Sequence, residues 1–157
     1  MSEEFLDQNL DSDLDHLLSE FQGIDRQVLR AVWRVYTEAS LGKIALGFEK
    51  DTLVVEAVSF DDTITIHLIS NNDRNIDGWI DASHSKPWSS FIGKTFGWGW
   101  ITINQQGYLD GVLLSFDGII PQVMLIVMAS SIKESVIHLT RSGVESSEDT
   151  TRERSGT

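Results

Sequence analysis

Three runs rich in β-branched residues, Lys43–Phe48, Leu53–Phe60 and Thr63–Ile69, follow one another with only Lys50-Asp51 and Asp61-Asp62 marking the turns. Strands joined so tightly pair antiparallel, because a parallel neighbour needs a crossover of a dozen residues or more. In the third run Ile64, Ile66 and Leu68 share one face, while Thr63, Thr65, His67 and Ile69 share the other. This alternation predicts one buried and one partly wetted face.

The same period-two signal extends on both sides. Leu29, Ala31, Trp33 and Val35 alternate with Arg30, Val32, Arg34 and Tyr36, which predicts a strand over residues 27–37, with a helix starting near Asp25 as the alternative. Further strands are expected at Trp98–Asn104, Tyr108–Phe116, Gln122–Ala129 and Ser135–Thr140. Between Ser70 and Thr95 the chain is rich in Asn, Asp, Ser and Gly, and reads as a long loop with one helical turn near Trp88–Ile92. The expected fold is therefore α+β and mostly antiparallel β: about eight strands in a curved sheet or partly open barrel, with one or two short helices.

Residues 1–23 differ in character. Residues 1–22 carry seven acids and no Lys or Arg, whereas residues 23–140 hold 13 acids against 9 bases. Within this acidic tail Leu6, Leu10, Leu14, Leu17, Leu18 and Phe21 recur at steps of three and four, which predicts an amphipathic helix ended by Gly23. Its apolar face belongs either in the chain's own core or in a groove of another protein. Residues 24–140 are expected to form a single β-rich domain, and residues 141–157, which lack apolar periodicity, a disordered tail.

The net charge of −12 disfavours nucleic acid and anionic membranes and favours a basic protein partner. No apolar run is long enough for a membrane helix, the first residues do not read as a secretory signal, and there is no cysteine. A cytoplasmic location is the expectation. The absence of cysteine also removes thiolate metal sites and cysteine nucleophiles. His16, His67, His84 and His138 show no ligand spacing, and no G-x-S-x-G elbow is present. No cofactor, metal or catalytic set is expected.

The segment Phe96–Gly118 concentrates the candidate contact residues. Trp98, Trp100 and Thr102 alternate with Gly97, Gly99, Ile101 and Ile103, and Asn104–Gly107 makes the turn. On the return strand Asp110 falls among Tyr108, Val112, Leu114 and Phe116. Aromatic residues carry disproportionate energy at interfaces, although tryptophans also commonly cover a core.

The motifs GWGW, INQQGYLDGVLLSFDGIIPQ and ASSI between Trp98 and Ile132 resemble a family of small uncharacterised bacterial domains. The resemblance spans Leu29–Leu139 and rests on Trp100, Asn104, Gly107, Tyr108, Asp110, Gly111, Asp117 and Pro121. It implies an α+β or mostly β domain. Some such acidic domains look like immunity or accessory proteins.

The functional expectation is a non-enzymatic protein-binding module, acting as an immunity, inhibitor or accessory subunit. Leu10, Leu14, Leu17, Phe21, Trp98, Trp100, Asn104, Tyr108 and Asp110 are its candidate contacts; homo-oligomerisation stays open. One alternative is a small-molecule sensor with a pocket of Trp100, Tyr108 and Phe116 oriented by Asp110 or Asn104. Another is a hydrolase pairing Asp110 with His67 or His84.

Overall fold

The computed structural model describes residues 3–58 and 60–138, with side chains from Leu10 onward. Helix α1 (Glu3–Gly23) precedes nine strands: β1 (Leu29–Thr37), β2 (Ser40–Phe48), β3 (Asp51–Val58), β4 (Thr63–Ser70), β5 (Ile80–Asp81), β6 (Phe96–Ile103), β7 (Leu109–Phe116), β8 (Val123–Met128) and β9 (Ser131–Val136). A 3-10 turn, Trp88–Ser90, lies between β5 and β6. The strands form two antiparallel sheets, ordered β4-β3-β2-β1-β5 and β6-β7-β8-β9, which do not close into a barrel.

Alternation sets the core. Val32, Leu46, Leu53 and Ile66 point inward from the first sheet, and Val112, Leu114, Leu125 and Ile132 from the second. The sheets meet at one corner, where the Phe96 N–H donates to Gln27 O (2.8 Å) and the Leu29 N–H to Lys94 O (2.9 Å). At another, Arg34 of β1 holds Glu134 of β9 at 2.8 Å, and the Trp88 indole N–H donates to the same carboxylate at 2.7 Å.

Residues 27–37 resolve in favour of the strand. The long segment after β4 is more structured than its composition suggests. It contributes β5, which pairs Trp33 with Asp81, and it sends Trp88 (0% exposed), Phe91 and Ala82 into the core. The last strand is also shifted: β9 begins at Ser131, whereas the sequence predicts a strand over Ser135–Thr140, of which 139–140 lie outside the described residues. The cause is a two-residue hairpin at Ala129-Ser130 (φ 50° and 62°), which leaves no room for a longer connection. Glu38-Ala39 (φ 51° and 69°) makes the equivalent turn between β1 and β2, so β2 starts at Ser40. The tail 141–157 lies outside the described residues.

Helix α1 lies against β4 and β6, the outer strands of the two sheets, and closes the open side of the sandwich. Leu17 and Phe21 are buried, and Leu10 and Leu14 pack on the same core. Phe21 stacks on Phe96 (centroids 6.0 Å apart), which meets Phe48 and Phe116 edge-on. Gly99 makes this approach feasible, because a Cβ there would sit 2.5 Å from the Phe21 ring. The apolar face of the helix therefore finds its home in the chain's own core. Leu17 and Phe21, candidate partner contacts by their spacing, are core residues.

Two outcomes follow. Phe21→Ala, read by urea unfolding, should lower stability by about 3–5 kcal/mol; a loss below about 1 kcal/mol, an ordinary exposed-site effect, would detach α1 from the core. Ala39→Gly should raise stability by about 1 kcal/mol, because a left-handed φ of 69° strains a residue with a Cβ. An unchanged or lower melting temperature would contradict that turn geometry.

Candidate functional site

The β6–β7 hairpin takes its shape from two register shifts. Thr102 pairs with Gly111 while Ile103 pairs with Leu109, so Asp110 is the extra residue of a bulge. The shift turns Leu109 into the core in place of Asp110, which alternation alone had put among apolar neighbours. Asp110 instead accepts a hydrogen bond from the Thr102 hydroxyl at 2.6 Å. The second shift lies between Phe96 and Gly99, where the Trp98 N–H donates to the Oγ of buried Ser115 (2.8 Å), which donates to Gly118 O (2.6 Å).

Asn104 serves the turn. Its Oδ1 accepts from the Gln106 and Tyr108 N–H groups at 2.9 and 3.2 Å, and Gly107 takes the positive φ the turn requires. Trp98 is 57% exposed and Tyr108 44%; neither covers the core.

Trp100 lies in register with Leu113, and Leu113 with Met124, across the outer face of the second sheet. In the next row Thr102, Gly111 and Ile126 align. Trp100, Leu113, Met124 and Ile126 are half-buried and belong to neither apolar cluster of the fold. The first sheet is treated differently. Its outer face carries Trp33, Ala45 and Val54, and the segment after β4 folds back over them. Trp79 meets Trp33 at 5.7 Å, and the Arg74 guanidinium sits 4.8 Å above the Trp33 ring. Thr52 and Asn71 hold Arg74 in place at 3.3 and 3.2 Å.

Two grooves flank α1. One, of about 540 Å³, runs along β6 between Leu18, Gln22 and Trp98, and its Asp25 and Arg26 lie 3.8 Å apart. The other, of about 530 Å³, lies between α1, β4 and the hairpin turn. Leu10, Leu17, Ile64, Ile66 and Leu109 give it apolar walls, with Asp13, His16, Asp61, His67 and Tyr108 at its polar positions. It unites Leu10, Leu17 and Tyr108 of the candidate contacts, while Phe21 and Trp98 share the first groove.

Other proposed sets do not assemble. Phe116 is a core ring stacked on Phe91 at 5.0 Å, and Tyr108 lines the second groove. Trp100 lies on the outer sheet face, so these three aromatics form no common pocket. Neither groove brings Asp110 to a histidine. Asp117 is occupied, its Oδ1 accepting the Thr95 N–H at 2.8 Å. Among the described residues no three His, Asp or Glu converge as a metal set, and no helix is long and apolar enough to cross a membrane. The Ser83 hydroxyl, and then its backbone N–H, hold the Asp81 carboxyl below its ordinary range; this is turn chemistry remote from both grooves.

The sequence offers Trp100 of the outer-face row and Leu10, Leu17 and Tyr108 of the second groove, but not Leu113, Met124 or the β4 residues that complete them. Leu113 and Met124 each sit in a continuous apolar run, so composition does not show which of the two faces packs on the core; pairing across β6, β7 and β8 does. The groove's members come from three distant segments.

Because the Trp98 ring is more than half exposed, Trp98→Ala should change unfolding free energy by no more than about 1 kcal/mol, in contrast to a core aromatic. A core-sized loss would show that the ring supports the fold.

A family model described as Family of unknown function (DUF6334) matches residues 11–141, and the chain belongs to that family. The match takes in most of α1, and so reaches further toward the N-terminus than the β-rich motifs. No curated protein and no solved structure was found to match the chain.

Proposed function

We propose that this DUF6334 protein is a non-catalytic protein-binding module of the cytoplasm, acting on a larger partner as an immunity, inhibitor or accessory subunit. The observation that carries this reading is the asymmetry between the two outer sheet faces. The chain spends the segment after β4 covering one of them, yet leaves the row Trp100, Leu113, Met124 half-buried and unpartnered by either apolar cluster on the other. Such a row, beside an exposed Trp98, has the aromatic and methionine character enriched at the centres of protein interfaces.

The partner surface is apolar at its centre and basic at its rim. The net charge of −12 favours approach by a positively charged protein, and Asp110, beside the row, offers a carboxylate to it. Buried aromatic anchors in such contacts commonly contribute 2 kcal/mol or more each on truncation to alanine, roughly, while rim residues contribute little.

Tagged full-length protein recovered from its native cells, beside a Leu113→Lys/Met124→Lys variant, tests the reading. The expected result is a stoichiometric partner present with the first and absent with the second, both proteins keeping the same cooperative unfolding. Recovery of that partner in equal amount with the variant would falsify the outer face as the contact surface.

A further inference from the structure

The groove between α1 and β4 differs from its neighbour in charge and in the strand that borders it. Asp13 and Asp61 line it, and its lining contains no Lys or Arg, whereas the groove along β6 holds the neutralising pair Asp25 and Arg26. Asp61 is fixed in place by the Thr63 hydroxyl, which donates to it at 2.7 Å. Beneath these carboxylates lie the core residues Leu17, Ile64, Ile66 and Leu109, and half-buried Leu10 with exposed Tyr108 supplies the apolar surface that stays accessible under the anionic rim of the trough.

Its wall is the outer strand of a sheet. Among the described residues β4 pairs with β3 alone, and it lines the trough with residues of both its faces, Thr63 and Thr65 as well as Ile64 and Ile66. A strand that lines a cavity with both faces presents its edge to it, and an edge offers a row of backbone N–H and C=O groups to another strand. From Leu10 to Leu17 the helical wall is about 10 Å long, at 1.5 Å per residue. That is room for about three extended residues, at roughly 3.3 Å each.

From these three features we propose that the α1–β4 trough binds an extended, basic segment of a partner polypeptide, added as a short strand to the β4 edge. Alternate side chains of the bound segment divide between two environments. Those facing inward meet Leu10 and Tyr108 above the buried Leu17, Ile64 and Leu109, and Lys or Arg side chains facing outward meet Asp13 and Asp61. Tyr108, 44% exposed at the mouth, lies along the segment and covers its apolar anchor. The site is separate from the outer face of the second sheet, and either stands if the other fails.

The test uses full-length protein and a short fluorescein-labelled peptide alternating lysine with valine and leucine, followed by anisotropy at about pH 8, above the range in which histidines ordinarily charge. A glutamate peptide of the same apolar pattern and a lysine peptide with proline at its centre serve as comparisons. The lysine peptide should bind saturably, and the other two should bind at least tenfold more weakly. Asp13→Asn/Asp61→Asn should weaken it about fivefold, as expected for two partly exposed ion pairs. Asp73→Asn/Asp77→Asn, an equal change of charge in the loop over Trp33, should alter it less than twofold. Tyr108→Ala should weaken it, and Leu113→Lys should leave it unchanged. Equal weakening by the two Asp pairs would reduce the effect to net charge and overturn the site. So would equal binding of the proline peptide, or no saturation below about 1 mM. A cellular partner lost with Leu113→Lys/Met124→Lys but retained with Asp13→Asn/Asp61→Asn would leave the protein-binding function standing without this trough.

Discussion

The carboxylate of Glu134 is the point at which three otherwise separate parts of the chain are tied together. Its oxygens accept the Arg34 Nε–H at 3.1 and 3.0 Å, Arg34 Nη2 at 2.8 Å and the Trp88 indole N–H at 2.7 Å. Arg34 belongs to the first sheet, Glu134 to the second and Trp88 to the segment between them; Arg34 also donates to Lys86 O at 2.9 Å. The two charged side chains are only 17% and 13% exposed. Charges so enclosed contribute little net stability as a pair, yet either one left alone is costly. The pair therefore selects a packing more than it strengthens one: Trp88 enters the core only where β1 and β9 stand at the separation Arg34 and Glu134 span.

Once Trp88 is fixed, the segment before it has a fixed end, and the rest of that segment is free to cover a sheet face. Ala82 donates its N–H to Val32 O, and Ser83 bonds both the N–H and the C=O of Val32, so the chain is stitched to β1 as it passes. Upstream of that seam, Arg74 and Trp79 close over Trp33. No comparable segment follows β6, where the connections are the short turns at Asn104–Tyr108, Asp117–Gln122 and Ala129-Ser130. The uncovered row of Trp100, Leu113 and Met124 is thus a consequence of topology. The first sheet also has tight hairpins, but the long connection after β4 crosses its outer face, while the strands of the second sheet are joined by short turns alone.

What could be read from the sequence follows the same division. Strands whose alternation is clean and whose turns carry Asp, such as β4, were legible nearly to the residue, and the β6–β7 hairpin was legible as a hairpin but not in its two register shifts. The turns at Glu38-Ala39 and Ala129-Ser130 were not, since both adopt left-handed φ values with residues that have no special affinity for them, and tertiary pairing overrode local preference. Alternation also misplaced Asp110, because a one-residue bulge inverts the faces beyond it. The helix was visible in the spacing of Leu10, Leu14, Leu17 and Phe21, but the partner of its apolar face was not. That face is settled by Gly99, a glycine whose meaning appears only when the Phe21 ring is seen against it.

Helix α1 joins the core to the charge of the molecule. Its 21 residues hold all seven acids of the N-terminal region and no base, with Asp11, Asp13 and Asp15 exposed. Acids near the helix N-terminus are favoured by the macrodipole, whereas the absence of a cation in the last turn forgoes the matching gain at the other end. A helix selected only for stability has no reason to carry that imbalance. Leu17 and Phe21 pin it to the opening of the sandwich, so the negative potential is held rigidly beside the β4 edge and the α1–β4 trough. For the basic partner proposed above, a field fixed in position beside an apolar site would favour one orientation of approach, an effect that weakens as salt shortens its range to about 8 Å at physiological ionic strength. The same few apolar side chains that close the core therefore also aim the charge.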